Sequence, residues 1–303
     1  MSSTIIQSAV NVSEGRRSEV IAAVVDAAGN VPGIKVADWS ADIDHNRMVI
    51  SLLGGPDAIR DAAIAITEVA LDKIDLRTHA GVHPRVGAVD VIPLVPIRNI
   101  SMEECISVSR EISQSLASRF NLPVYLYERS GAEGRQMSLP AIRKGGFEGL
   151  FTESKMLTRR PDYGPLEPHS SAGAAVVGAR SPLVAYNILL DSSVPDAAIQ
   201  IAEKVRKMRG TNLTLTGVRT LGLLLPSINR AQVSMNLTQP ALTPLPGVFD
   251  FVREEANRIG VNAVESEIIG LIPTSSLGGE EPDRILWKEF KETQLIDYWL
   301  ERL

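Results

Sequence analysis

A single cysteine, Cys105, stands in the whole chain, so no intrachain disulfide can form and a reducing compartment is the expected setting. Aromatic residues make up 5% of the sequence, too few for extended stacking platforms. There is no excess of basic residues: the net charge is −5, which argues against the cationic face that a nucleic-acid binder needs. A small anionic ligand is still allowed, since a local arginine cluster can oppose the global sign. No apolar run approaches the roughly 20 residues that span a bilayer. Residues 1–10 show no basic region leading into an apolar stretch. A soluble, cytoplasmic protein without membrane contact is the expectation. Neither GxxxxGK(S/T) nor GxGxxG occurs, which leaves Walker and Rossmann nucleotide binding unsupported. There is no GxSxG elbow, and the absence of CxxC and HExxH predicts no metal site.

What is present is a globular composition, 44% hydrophobic and 22% charged over 303 residues, enough for two domains of ordinary size. Strand and helix periodicities alternate. Strands are expected at 4–11, 34–40, 47–53 and 87–95, with helices at 20–28 and 57–73, in the order β-α-β-β-α-β. The same order follows in the second half. Strands are read at 174–190 (with a break at 180–182), 213–225, 231–237 and 263–271, and helices at 195–208 and 248–259. Both halves therefore read as ferredoxin-like, an α+β protein with mixed or antiparallel sheets, divided into domains 1–177 and 178–303. An additional helix is expected at 102–120, a short strand at 123–127 and a C-terminal helix at 283–303. The stretch 128–173 is rich in Gly and Pro and far longer than ordinary connections, which suits a loop laid along a ligand or a bland linker.

The densest polar segment is Arg77-Thr78-His79-Ala80-Gly81-Val82-His83-Pro84-Arg85-Val86-Gly87. Two histidines four apart would share a helix face, but Gly81 and Pro84 oppose a helix, and Pro84 biases His83 to extended backbone. A loop entering a strand fits better, with His83 and Arg85 at the strand end. Histidine exchanges protons near neutral pH, so His83 is the candidate general base and acid, and His79 a neighbour; both residues also suit a surface or capping role. A second cluster, Asp38-Trp39-Ser40-Ala41-Asp42-Ile43-Asp44-His45-Asn46-Arg47, joins two strands. It reads equally as a recognition turn for a heterocycle and an anion or as a solvated acidic turn. Cys105 sits in a helical pattern and reads as a packed residue.

In sequence order, these segments resemble the formimidoyltransferase family, including the transferase domain of formimidoyltransferase-cyclodeaminase. The pieces are Asn11-Val12-Ser13-Glu14-Gly15, His45-Asn46-Arg47, His83-Pro84-Arg85-Val86-Gly87-Ala88-Val89-Asp90-Val91, Pro123-Val124-Tyr125-Leu126-Tyr127 and Pro161-Asp162-Tyr163-Gly164. Val177-Gly178-Ala179-Arg180, Ala231-Gln232-Val233-Ser234-Met235-Asn236 and Ser266-Glu267-Ile268-Ile269-Gly270-Leu271 complete them. The resemblance implies two ferredoxin-like subdomains with a ligand tunnel between them, a homodimer, and transfer of a formimino group from formiminoglutamate to tetrahydrofolate, a folate co-substrate. It puts the catalytic histidine on His83 and folate on 164–173, with Tyr163, Gly164, His169 and Gly173 in or beside that stretch. Asp38, Asp42 and Asp90 are candidates to stabilise the cationic carbon. Arg47, Arg85 and Arg180, with His45, Asn46 and His79, are candidates to hold substrate. Two departures stand out: Val82 where the family usually has glutamate, and Arg159-Arg160 where a tryptophan is common. The chain ends at Leu303, so no cyclodeaminase domain is expected. A folate-dependent transferase with another donor, or a non-catalytic folate- or amino-acid-binding protein, are the rival readings.

Overall fold

The computed structural model describes residues 3–132, 138–152 and 160–303. The rest of the irregular stretch 128–173, Gly134 and Arg159 included, lies outside the described residues. The chain divides into two compact units, Met1–Arg180 and Ser181–Leu303.

The first unit runs β1 (Ile5–Val12), α1 (Ser18–Gly29), β2 (Lys35–Asp42), β3 (Arg47–Gly54), α2 (Pro56–Lys73), β4 (Val89–Arg98), α3 (Met102–Phe120) and β5 (Val124–Leu126). Two short helical turns, α4 (Leu139–Ile142) and α5 (Gly146–Leu150), and β6 (Ala175–Ala179) follow. The sheet order is β2-β3-β1-β4-β6-β5. Its first four strands pair antiparallel in the ferredoxin-like order, and β6 joins β4 and β5 in parallel. Alternation along β1 sends Ile6, Val10 and Val12 to one face, where they pack with residues of all three helices, such as Val24, Ile66 and Ile112. The other face carries Val91, Tyr125 and Val176, and there Ile142 of α4 and Leu150 of α5 complete a smaller cluster. Helix α3 starts where the sequence says it should. Ser101 Oγ accepts the Glu104 N–H and Glu104 Oε2 accepts the Ser101 N–H, a capping box.

The second unit runs β7 (Val184–Leu190), α6 (Asp196–Met208), β8 (Val218–Leu225), β9 (Arg230–Leu237), α7 (Leu245–Arg258) and β10 (Ala263–Ile269). Its order, β10-β7-β9-β8, is antiparallel throughout and again ferredoxin-like. Tyr186, Phe249 and Trp287 anchor its core.

Three expectations change. The strand read at 174–190 is two strands in two different sheets, so the division falls after Arg180. The boundary expected between 177 and 178 would cut β6, which runs to Ala179. The helix expected at 283–303 shrinks to α8 (Ile296–Leu300), preceded by 3-10 turns. Leu286 is left-handed, at φ 56°, and Trp287 and Leu295 bridge to Ser266 and Ile272 like short strand residues. The bonds of that pairing come from their neighbours: the Leu286 and Gln294 carbonyls accept the N–H groups of Ser266 and Ile272, and Ile296 N–H donates to the Ile272 carbonyl. The stretch 128–173, read as irregular, contains α4 and α5.

Candidate active site

Three loops meet at one end of the first sheet, because Val12, the Asp42–Arg47 pair and Val89 occupy neighbouring positions in the register. They are 13–17 after β1, the hairpin turn between β2 and β3, and 79–87 entering β4. Their approach is close enough to demand glycine. A Cβ on Gly15 would stand 2.1 Å from the Asp42 carbonyl oxygen, and one on Gly81 2.2 Å from that of His45. Asn46 adopts the left-handed conformation, φ 47°, that asparagine tolerates better than most residues. Its side chain ties the other two loops to the hairpin: Oδ1 accepts the Gly15 N–H at 3.0 Å and Nδ2 donates to the Ala80 carbonyl at 3.1 Å.

The cleft so formed is lined by Ser13, His45, Asn46, Arg47, His79, His83, Arg85 and Asp90. His83 stands among cations. Arg47 Nη1 lies 2.8 Å from His83 Nε2. A guanidinium offers only donors, so Nε2 is the acceptor and the ring is neutral with its proton on Nδ1. Burial, then the charges of Arg47 and Arg143, hold this imidazole far below the usual histidine range. His79 is neutral with the opposite tautomer. Its Nδ1 accepts from Arg85 Nε at 3.0 Å, which leaves Nε2 to donate to the Asn46 carbonyl at 2.9 Å. Burial also lowers its proton affinity. Arg85 continues outward to Glu148 on α5, through bonds of 2.9 and 3.2 Å.

His45 is buried, 5.9 Å from His83 between ring centroids, and its Nδ1 lies 2.9 Å from Asp42 Oδ1. That oxygen also accepts the N–H groups of Asp44 and His45. Burial works against the Asp42 carboxylate, but these hydrogen bonds outweigh it and hold the group below its ordinary range. Asp90 is buried, and both its oxygens are engaged. Oδ1 accepts Val86 N–H at 2.7 Å and Gly87 N–H at 3.2 Å; Oδ2 pairs with Arg143 through Nε at 2.9 Å and through Nη2.

The structure thus brings His45, Asn46, Arg47, His79, His83, Arg85 and Asp90 together. Asp38 is not with them. It pairs with Ser51 after a β-bulge, four positions along β2 from Asp42, or about 13 Å of strand. Tyr163 exchanges backbone hydrogen bonds with Val124 and packs on the helix-side core. Gly164 closes against Leu122, where a Cβ would meet the carbonyl oxygen at 2.5 Å. Arg180 follows β6 and hydrogen-bonds the buried Tyr127 side chain. His169 and Gly173 close a tight turn by mutual backbone bonds of 2.8 Å. That turn supports the His83 loop from below: Ala88 N–H donates to Ala172, and a Cβ on Gly173 would stand 2.0 Å from the Val86 carbonyl.

Arg143 and Glu148 escaped the sequence reading. Their only signal was charge inside the Gly-rich stretch, and nothing local pairs Arg143 with a residue 53 positions away. Among the described residues no group of three His, Cys, Asp or Glu could hold a metal ion, and no helix is long and apolar enough to cross a membrane.

A sequence profile of the formiminotransferase domain, N-terminal subdomain, matches residues 5–180, and one of the formiminotransferase domain matches 185–279. The chain is 37% identical over 301 residues to the glutamate formimidoyltransferase of Thermoplasma acidophilum, covering 99% of this chain and 98% of that one. The enzyme of the same name from Streptococcus pyogenes serotype M1 is 38% identical over 90% of each chain. The formimidoyltransferase-cyclodeaminase of Rattus norvegicus is 37% identical over 91% of this chain and 51% of its own. With one profile match in each unit, in the order of the two ferredoxin-like sheets, and a histidine cleft in the first, the chain belongs to the formiminotransferase family.

Proposed function

We propose that this protein is a glutamate formimidoyltransferase, moving the formimino group of N-formimino-L-glutamate to N5 of tetrahydrofolate in one-carbon metabolism, with His83 as the proton carrier. The observation that carries the role of His83 is its neutral ring, with its one basic nitrogen directed into a cleft rich in arginine. In the reaction a bond forms from N5 to the formimino carbon, and the bond from that carbon to the glutamate nitrogen breaks. N5 must shed a proton and the departing nitrogen must gain one. His83 takes the first and returns it to the second, acting as base and then acid.

The remaining roles follow from the chemistry and place of each side chain. Arg47 and Arg85 suit the substrate carboxylates, as planar forks that match a carboxylate. Arg180 is the third candidate, further along the sheet. Of the three carboxylates considered for the cationic carbon, Asp42 is the best suited. It is partly exposed and held ionised beside His45, whereas Asp90 is consumed by Arg143 and Asp38 is distant. Folate is assigned to 164–173, supported by the contact of the 169–173 turn with the loop that carries His83. A cytoplasmic homodimer belongs to the same reading.

The test is formiminoglutamate- and tetrahydrofolate-dependent turnover of the wild type and His83→Ala. General acid–base catalysis is worth about 10²–10⁴-fold, so a loss of that size is expected. Undiminished activity removes His83 from the mechanism. Faster wild-type turnover with formylglutamate, or folate binding without transfer, replaces this function with a rival one.

A further inference from the structure

Three histidines line the cleft, and their hydrogen bonds fix which ring nitrogen of each is the acceptor. His83 Nε2 accepts from Arg47 and His79 Nδ1 accepts from Arg85, so both lone pairs meet guanidinium groups. His45 differs. Its Nδ1 stands 2.9 Å from Asp42 Oδ1, and a carboxylate only accepts, so Nδ1 carries the hydrogen and the neutral ring keeps its lone pair on Nε2. We propose that His45 and Asp42 form a subsite for the terminal nitrogen of an amidinium group, and that this pair selects a formimino donor over a formyl donor. This rests on the function proposed above.

Three observations carry it. First, the charge of Asp42 is not cancelled by an arginine or a lysine. Among the described residues Asp90 is paired with Arg143, Glu148 with Arg85 and Glu14 with Arg17, whereas the ion-pair partner of Asp42 is the His45 ring. Second, the Nε2 atom of His45 has no hydrogen-bond partner among the described residues, and the ring lines the cleft. Third, the His45 and His83 rings are close enough, 5.9 Å between centroids, for one small N–C–N group to reach both. The nitrogen that leaves then meets His83, and the nitrogen that stays on the carbon meets His45.

An amidine is a stronger base than an imidazole, so the formimino group arrives as an amidinium, with N–H donors and a positive charge at its terminal end. One N–H is donated to His45 Nε2, and the Asp42 carboxylate behind the ring offsets the charge. A formyl group carries a carbonyl oxygen at the same place. That oxygen only accepts, so against the Nε2 lone pair no bond is made, and Asp42 gains no cation. A polar site discriminates most strongly where an analogue leaves such groups unpaired. The transfer itself balances as before. The bond from N5 to the carbon forms, the bond to the glutamate nitrogen breaks, and one proton passes from N5 to that nitrogen through His83. The positive charge that enters on the donor leaves on the formimino product, so His45 keeps its tautomer throughout. His45 touches the transferred group, and Asp42 acts through His45 as a positioning residue.

Calorimetric binding of N-formimino-L-glutamate and N-formyl-L-glutamate to the full chain reads this preference directly. The wild type should bind the formimino ligand at least about tenfold more tightly, the effect of one hydrogen bond to a charged group. Asp42→Asn keeps the shape of the side chain and removes its charge, while His45→Phe keeps a ring and removes the acceptor. Each should lower the ratio of the two affinities about tenfold. A substitution that only loosens the hairpin weakens both ligands alike and leaves the ratio where it was. Circular dichroism checks the fold, and Asp42→Asn serves if His45→Phe does not fold. A wild type without preference for the formimino ligand overturns the subsite, as does an unchanged ratio in a folded variant. The transfer assay stands apart: selective binding without turnover rejects the proposed function and leaves the subsite, while turnover with an unchanged ratio in the variants does the reverse.

Discussion

Removing the charge of Arg143 tests whether Asp90 is a structural anchor. The pair is nearly sealed, with side-chain exposures of 12% for Arg143 and 3% for Asp90. Breaking such a pair by removing one partner typically costs about 3–5 kcal/mol, because the other charge stays buried. In Arg143→Met the stranded Asp90 keeps the N–H groups of Val86 and Gly87, so the lower end, about 3 kcal/mol, applies. In Asp90→Asn a guanidinium is left uncompensated beside Arg47 and His83, and the upper end applies. Against total stabilities of about 5–15 kcal/mol, either loss is large. Urea unfolding of both single variants and the double variant, followed by circular dichroism, gives the coupling. The double variant should be less destabilised than the sum of the singles by about 1–3 kcal/mol. A single-variant loss under about 1 kcal/mol is what an exposed pair gives, and it would refute the reasoning. So would strict additivity.

Gly81→Ala places a methyl group against the His45 carbonyl and must push the His83 loop away from the hairpin. A displacement on the order of 1 Å can cost about 10²-fold in rate, so turnover should fall by about that factor while the circular dichroism spectrum is kept; near wild-type turnover would show that the two loops need not touch. His79 and His83 both bind protons more weakly in the folded chain than at the ordinary histidine pKa of 6.5. Unfolding therefore takes up protons below about pH 6.5, and stability is full above that value and falls as the pH drops, by at most about 1.4 kcal/mol per pH unit for each ring. Denaturation midpoints between pH 7.5 and 5 should show this slope in the wild type and a shallower one in His83→Gln. Light scattering should return about twice the mass of one chain; a monomer mass would remove the homodimer from the proposal.

Periodicity made much of the fold legible, for local reasons. Helix α3 was read with its observed ends, since Ser101 and Glu104 form its cap within one turn. The hairpin was legible because Asp42 and Asn46 are turn residues between two alternating runs. The addition of β6 beside β4 was not, because a five-residue apolar strand does not say which sheet it joins. The C-terminal segment failed since its apolar spacing fits a helix, yet Trp287 and Leu295 find strand partners. In the site, His79, His83 and Arg85 were visible as a cluster in one segment. Two things depend on the third dimension: which carboxylate reaches the cleft, and the arginine that Asp90 holds. A bulge in β2 and a contact spanning 53 residues leave no trace in spacing.

The two parallel strands have a bearing on how copies of the chain can meet. In a four-stranded ferredoxin-like sheet β4 would be an open margin, its unpaired amides a template for another chain. Here β6 covers that margin and β5 lies beyond it, only three residues long, with Tyr163 already bonded across Val124. Among the described residues, the long margin left in this unit is β2, which carries Lys35, Asp38 and Asp42. Charges so placed discourage edge-to-edge growth, and that protects the protein from aggregating through this sheet.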